Sequence, residues 1–266
     1  MRTTPTEYMD LLPQMDTYCT SPENNLCFLG GDGRVNLHPL ITTQYTLFVR
    51  EHNRLANLLG ATYPDFSDEI LFQEARKFLI AEFQHIANNE FLPNILGSDL
   101  MEAYNLWSLQ DGHSSYLSSV HPGTRNGFAS AAFLFAHSGV MGEISINGSQ
   151  ISFGSLFYNP DIFYNVSDAT TILFMTDELT NKLSETKPGD GWDLAAINIQ
   201  SGRDNGLPTY NTWRHWCGLN VAENFTSLVD HKDEDKEILQ QIYDTLYLSH
   251  CLLISIYLSI YLSIYP

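Results

Sequence analysis

Positive charge is what this sequence has least of. Thirteen Lys and Arg stand against 31 Asp and Glu, for a net charge of −18 over 266 residues. So acidic a chain is repelled by nucleic-acid phosphate and by anionic membrane surfaces, so neither nucleic acid nor membrane is expected as a partner. Long apolar runs are missing too. A membrane span needs roughly 20 apolar residues, and residues 252–266 fall short of that and are broken by serines. Cysteine is sparse: Cys19, Cys27, Cys217 and Cys251, with no Cys-x-x-Cys pair, which argues against a zinc site. Neither His-Glu-x-x-His nor Gly-x-Ser-x-Gly occurs, so zinc-protease and serine-hydrolase chemistry fall away. The first residues, Met1-Arg-Thr-Thr-Pro-Thr-Glu-Tyr8, contain no apolar signal-peptide core. Either the protein is intracellular or the chain begins part-way along a longer one.

What is present suits one compact, mainly α-helical domain with long connections: 44% of residues are hydrophobic and 17% charged. Apolar spacing predicts a helix from Pro39 to Leu59, with Pro39 in its first turn and Gly60 just past its end. A second is expected from about Asp68 to Asn89, capped by Ser67. Its inner face reads Ile70, Leu71, Ala75, Phe78, Leu79, Phe83 and Ile86, and Pro93 helps to end it. Residues 98–122 read as irregular, Gly127 to about Val140 as a third helix, and 143–166 as a short hairpin or loop. Acidic 176–190 reads as a helix end followed by a Lys-Pro-Gly-Asp turn. Cys19 and Cys27 flank a turn-rich stretch that could close a small disulfide loop, and Asn147-Gly-Ser, Asn165-Val-Ser and Asn224-Phe-Thr are glycosylation sequons if the protein is secreted. From Ile254 a four-residue Ser-Ile-Tyr-Leu repeat takes over. Residues 251–266 read as a translated simple repeat rather than native coding sequence, with an amphipathic surface helix as the alternative.

Three residues stand out chemically. His137 lies in the apolar segment Ala131-Ala-Phe-Leu-Phe-Ala-His-Ser-Gly139. A buried imidazole needs a polar partner, so it is either a hydrogen-bonded core histidine or a metal or haem ligand. Asn198, alone in Leu194-Ala-Ala-Ile-Asn-Ile199, is either such a partner or a turn or cap residue. Arg34 sits in the Gly-rich stretch Gly30-Gly-Asp-Gly-Arg34, and by itself reads as a salt-bridged surface residue. That stretch is not a Gly-x-Gly-x-x-Gly turn after a strand, so it implies no nucleotide site.

The combination is more specific than its parts. Cys27-Phe-Leu-Gly-Gly-Asp-Gly-Arg-Val-Asn36, Leu47-Phe-Val-Arg-Glu-His-Asn-Arg-Leu-Ala56, Asp68-Glu-Ile-Leu-Phe-Gln-Glu-Ala-Arg-Lys77 and Glu90-Phe-Leu-Pro-Asn-Ile-Leu-Gly97 stand in order along the chain. They are followed by Phe128-Ala-Ser-Ala-Ala-Phe-Leu-Phe-Ala-His-Ser138 and by Asp193-Leu-Ala-Ala-Ile-Asn-Ile-Gln-Ser-Gly-Arg-Asp-Asn-Gly-Leu-Pro208. Together they resemble the animal haem peroxidases, the myeloperoxidase, peroxidasin and peroxinectin family, over about residues 16–245.

The resemblance implies a peroxidase domain over 1–250, a haem b cofactor, secretion, and reduction of hydrogen peroxide coupled to oxidation of small donors. His137 would be the proximal ligand to haem iron, and Asn198 would accept from its other ring nitrogen. Arg34 would lie on the distal side and polarise peroxide as the O–O bond breaks. Glu51 and His52 read as structural packing.

The departures are equally specific. The family's distal histidine, its calcium loop and one haem-linking aspartate lie upstream of this stretch; nothing in residues 1–33 matches them, and no histidine precedes His38. Leu37 stands at the second haem-linking position, where a glutamate is usual and where leucine cannot form an ester. His38 beside it has no assigned role. Leu134 replaces an arginine, Ala136 a glycine and Asn205 a histidine. The expectation is an incomplete or divergent haem peroxidase; the alternative is a non-catalytic secreted peroxidase-like module acting in binding or adhesion.

Overall fold

A computed structural model describes residues 1, 3–5, 10–15, 21, 26–112, 115–139, 143–146, 149–165, 191, 193–229 and 231–243. The expected helix end and turn at 176–190 and the repeat tail fall outside them. The chain divides into two compact units, Met1–Phe91 with Met141–Phe174, and Leu92–Val140 with Met175–Pro266.

The first unit begins with strands β1 (Gln14–Met15) and β2 (Cys27–Phe28), paired antiparallel with Gln14 opposite Phe28. Cys27 is disulfide-bonded; its expected partner, Cys19, is not among the described residues. Buried Leu12, Phe28 and Val35 form a small core with Tyr45, Val49 and Phe163 around it. The Asn36 carboxamide binds both backbone groups of Phe28, at 2.9 and 2.7 Å, which fastens the Gly-rich loop to β2.

Helix α1 (Pro39–Thr62) starts as expected, with Pro39 at its first position, where a missing N–H costs nothing. It runs past Gly60 and stops at Tyr63, which precedes Pro64 and is therefore pushed out of the helical region. Gly60 lies inside the helix instead, where a Cβ would meet a Leu71 methyl at 3.4 Å. Helix α2 (Asp68–Ile86) is capped by Ser67, whose hydroxyl accepts from Ile70 N–H. Of its expected inner face, only Ala75 is buried; Leu71 and Leu79 are half-buried, and Ile70, Phe78, Phe83 and Ile86 are exposed. The line through 71, 75 and 79 is a single i, i+4 row, so the seam toward α1 is narrower than the apolar pattern. His52 fixes this seam: it is buried on α1, with Nε2 3.2 Å from the Phe72 carbonyl of α2, the packing role read from its motif. A π-helical turn, Ala87–Phe91, follows α2.

His38 is the N-cap of α1. Its Nδ1 accepts from Leu40 N–H at 3.2 Å, and its ring stacks on Phe153 at 3.7 Å. It is 2% exposed, and Nε2 lacks a well-formed partner among the described residues. Burial pushes its pKa from 6.5 down to about 4, and the Phe153 backbone offsets this only weakly. A folded pKa below the unfolded one means that stability is present above pH 6.5 and is lost as pH falls toward 4. The expected size is on the order of 3 kcal/mol. Thermal unfolding followed over that range should fall steeply for the wild type and more shallowly for His38→Asn, which retains a capping acceptor; equal slopes would contradict this.

The expected hairpin forms: β3 (Glu143–Ile146) pairs antiparallel with β4 (Ser149–Ser152), with Ile144 opposite Ile151. A short helix, α5 (Asp161–Asn165), follows in the same unit.

The second unit opens with α3 (Leu92–Ala103), so the helix reaches into the stretch expected to be irregular. Pro93 sits in its first turn rather than ending a helix. The break comes at Gly97, at φ +73°, a conformation glycine adopts without steric cost. Between Ala103 and Asn126 the described residues form no helix or strand.

The expected third helix divides in two. α4 (Asn126–Ser130) stops at Ala131, whose backbone leaves the helical region, and Ala132–Gly139 continues as 3-10 turns. Helix α6 (Leu194–Asp204) is capped by Asp193, which accepts from Ala196 N–H at 3.0 Å, and ends in a turn where Gly206 takes φ +61°. Helix α7 (Tyr210–Trp216) places Trp213 against buried Ala131 and Leu207. Fully buried Tyr210 packs with Ala222, Phe225 and Leu228 beside α8 (Asp233–Ile242). Cys217 is a free, exposed thiol. Among the described residues no helix is long and apolar enough to cross a membrane.

Candidate functional site

His137 and Asn198, 61 positions apart in sequence, meet in the second unit. His137 comes from the 3-10 segment after α4, and Asn198 from the middle of α6. Asn198 is therefore neither a cap nor a turn residue. Its Nδ2 lies 3.1 Å from His137 Nδ1. Three residues per 3-10 turn put positions i and i+3 on one face, so Leu134, at the arginine position of the resembling family, shares a face with His137. Phe133 approaches the imidazole edge-on, with ring centroids 6.3 Å apart.

Both residues are half-buried. Burial pushes the His137 pKa below its ordinary value, and the Asn198 hydrogen bond pulls the other way. The ring is therefore kept neutral, the form in which an imidazole nitrogen can donate to a metal. With Asn198 Nδ2 donating to Nδ1, the ring proton sits on Nε2. Ligation through Nε2 needs that proton on Nδ1 instead, and a half-turn of the carboxamide presents Oδ1 to accept it. The pair thus holds the ring through one nitrogen in either tautomer and leaves the other without a hydrogen bond among the described residues. This fits a haem iron, which needs only one protein nitrogen on the proximal side. Among the described residues no group of three or more His, Cys, Asp and Glu is placed to hold a metal ion by itself.

Arg34 belongs to the first unit. Its side chain is 75% exposed and chelated by Asp32, with Nε to Oδ1 at 2.8 Å and Nη2 to Oδ2 at 2.9 Å. Asp32 Oδ1 also accepts the Arg34 backbone N–H at 2.8 Å, closing a 3-10 turn over Gly33–Asn36. The side-chain bond to Arg34 holds the Asp32 carboxyl down at about 2, and the Arg34 pKa is raised in return. Asp32 thus fixes the guanidinium direction, a role that Gly-Gly-Asp-Gly-Arg signals only through the i, i+2 spacing of its charges. Leu37, half-buried just after this turn, accepts the Tyr158 N–H through its carbonyl at 3.1 Å, and its side chain holds no carboxylate.

A second contribution that motif reading misses is the support behind the His137 segment. A Cβ on Gly127 would lie 2.6 Å from Trp213 Cη2, so the Trp213 indole lies against α4 where residue 127 has no side chain. The signal was a lone glycine four residues before a buried alanine, too weak to find alone.

The described fold is mainly helical, and its candidate site is a neutral imidazole braced by a carboxamide. The family model for animal haem peroxidase matches residues 1–250. The chorion peroxidase of Drosophila melanogaster is 38% identical over 239 residues, which cover 81% of this chain and 30% of that protein. Among solved structures, peroxidase A of Dictyostelium discoideum superposes with a TM-score of 0.71 at 26% identity, over 97% of this chain and 56% of the other. A fatty acid alpha-dioxygenase from Arabidopsis thaliana shares the fold with a TM-score of 0.59 at 17% identity, over 84% and 46% of the two chains. The chain belongs to the animal haem peroxidase family, and it spans under a third of the chorion peroxidase it matches.

Proposed function

We propose that this chain is the His137-bearing portion of a secreted haem peroxidase domain covering residues 1–250. The observation that carries the reading is the His137–Asn198 pair, a neutral imidazole oriented through one nitrogen at 3.1 Å. Haem, when bound, supplies the redox chemistry by which hydrogen peroxide is reduced and small donors are oxidised. His137 would hold the iron, and Asn198, whose carboxamide lies 3.1 Å from Nδ1, would set ring orientation and basicity. Arg34, oriented by Asp32, would offer a positive charge to an oxygen on which charge develops as the O–O bond breaks. Leu37 cannot form an ester link, so this position leaves haem held without that bond. Secretion is supported by the oxidised state of Cys27, because disulfides persist in oxidising compartments, and by the likeness to a chorion peroxidase.

No residue of this sequence before His38 is a histidine, the residue type that most often serves as the proton-moving base in general acid–base catalysis. The 266-residue chain loaded with haem should therefore oxidise guaiacol no faster than free haem. Turnover well above free haem, lost in His137→Ala, would show that the chain is a working peroxidase by itself. Leu37 favours a second reading, a non-catalytic binding module. A histidine-ligated haem spectrum supports the first reading and its absence the second.

A further inference from the structure

We infer that Asn224 is an N-glycosylation site whose folded geometry accommodates the glycan. The segment from Ala222 to Val229 buries every third residue: Ala222, Phe225 and Leu228 enter the core around Tyr210, while Asn224 and Thr226 are exposed. The middle residue of the sequon is thus the anchor, and the two residues that define it face solvent.

The carboxamide has divided its two ends. Asn224 Oδ1 accepts the Thr226 hydroxyl at 2.7 Å and the Ser227 N–H at 3.0 Å. Ser227 Oγ in turn accepts the Asn224 N–H at 3.1 Å, closing the capping box around Phe225–Ser227. Nδ2 makes no hydrogen bond among the described residues. N-glycosylation uses Nδ2 and leaves Oδ1 a carbonyl oxygen, so the turn keeps its bonds with the glycan attached. In the transfer, Nδ2 displaces the diphosphate from the first sugar of a lipid-linked oligosaccharide. The N–C bond forms, the sugar C–O bond to diphosphate breaks, a proton leaves Nδ2, and the lipid diphosphate is the leaving group.

The same division separates the structural role of Asn224 from its modification. Asn224→Asp keeps an oxygen for both cap bonds but has no transferable nitrogen. Thr226→Ser keeps the hydroxyl that the sequon requires, and Thr226→Ala removes it.

The inference rests on the secreted reading, so the test supplies entry to the secretory route. The full chain is expressed in eukaryotic cells behind a cleavable signal, and the medium is treated with peptide N-glycosidase before mass mapping. The expected result is conversion of Asn224 to aspartate by the glycosidase in the wild type and in Thr226→Ser. Thr226→Ala should show no conversion, and Asn224→Asp should lose one glycan step on a gel while keeping the melting temperature of wild-type chain made with glycosylation blocked, which carries Asn224 without a glycan. Recovery of secreted chain with Asn224 unmodified overturns the site, whatever the state of Asn147 and Asn165. Because entry is supplied, that failure does not bear on secretion, which is tested separately by locating the endogenous protein; haem binding enters neither result.

Discussion

Replacing Asn198 with leucine should weaken haem binding by the chain by about 10- to 100-fold, the usual cost of removing the group that orients a metal-bound histidine. Asn198 is the partner found for His137 Nδ1, at 3.1 Å, on a ring already half-buried. Leucine fills the space and accepts nothing, so Nδ1–H is left unsatisfied beside apolar side chains. Asn198→Asp should behave differently. Its carboxylate accepts more strongly from Nδ1–H, raises the basicity of the imidazole and lowers the haem reduction potential while haem is retained. Haem titration and spectroelectrochemistry of the two variants check this. Equal affinity in Asn198→Leu, or an unmoved potential in Asn198→Asp, would mean that the pair is core packing only.

Gly127→Ala is expected to be nearly as damaging, although residue 127 touches no chemistry. The new methyl would sit 2.6 Å from Trp213 Cη2 and 2.9 Å from Cζ2, and the indole is itself packed on Ala131 and Leu207. Overpacking of this kind costs about 1–3 kcal/mol, and relief requires moving the indole off Ala131 and Leu207, or moving α7 or the backbone leading to His137. Stability measured by urea unfolding should drop by that amount, with haem affinity falling too. Trp213→Phe removes the colliding atoms, and Trp213 Nε1 is buried with no partner among the described residues, so that change breaks no hydrogen bond. The double variant Gly127→Ala/Trp213→Phe should recover most of the loss. Simple additivity of the two changes would contradict a direct clash.

How much of this was legible in the sequence differs from element to element. The start of α1 and the cap of α2 could be read because Pro39 and Ser67 act locally, through a fixed φ and one hydroxyl. The end of α1 could not: Gly60 resembles a terminator, yet the helix runs on to Thr62 and stops only before Pro64. The inner face of α2 was overread because periodicity marks apolar residues but not the width of the seam that covers them. His137 and Asn198 were found as isolated polar residues in apolar runs, and their pairing as a property of the family resemblance. The 3-10 path of the His137 segment and the hold of Asp32 on Arg34 were not legible. The first depends on where Ala131 is buried, and the second on a rotamer.

The most direct test is a haem titration of the 266-residue chain beside its His137→Ala variant, read by absorption and by magnetic circular dichroism. The account predicts a saturating, histidine-ligated spectrum for the wild type and its loss in the variant, with only weak, unspecific haem uptake remaining. Identical spectra and affinities for the two would contradict it, because His137 would then be a core histidine paired with Asn198 and haem would be held elsewhere or not at all.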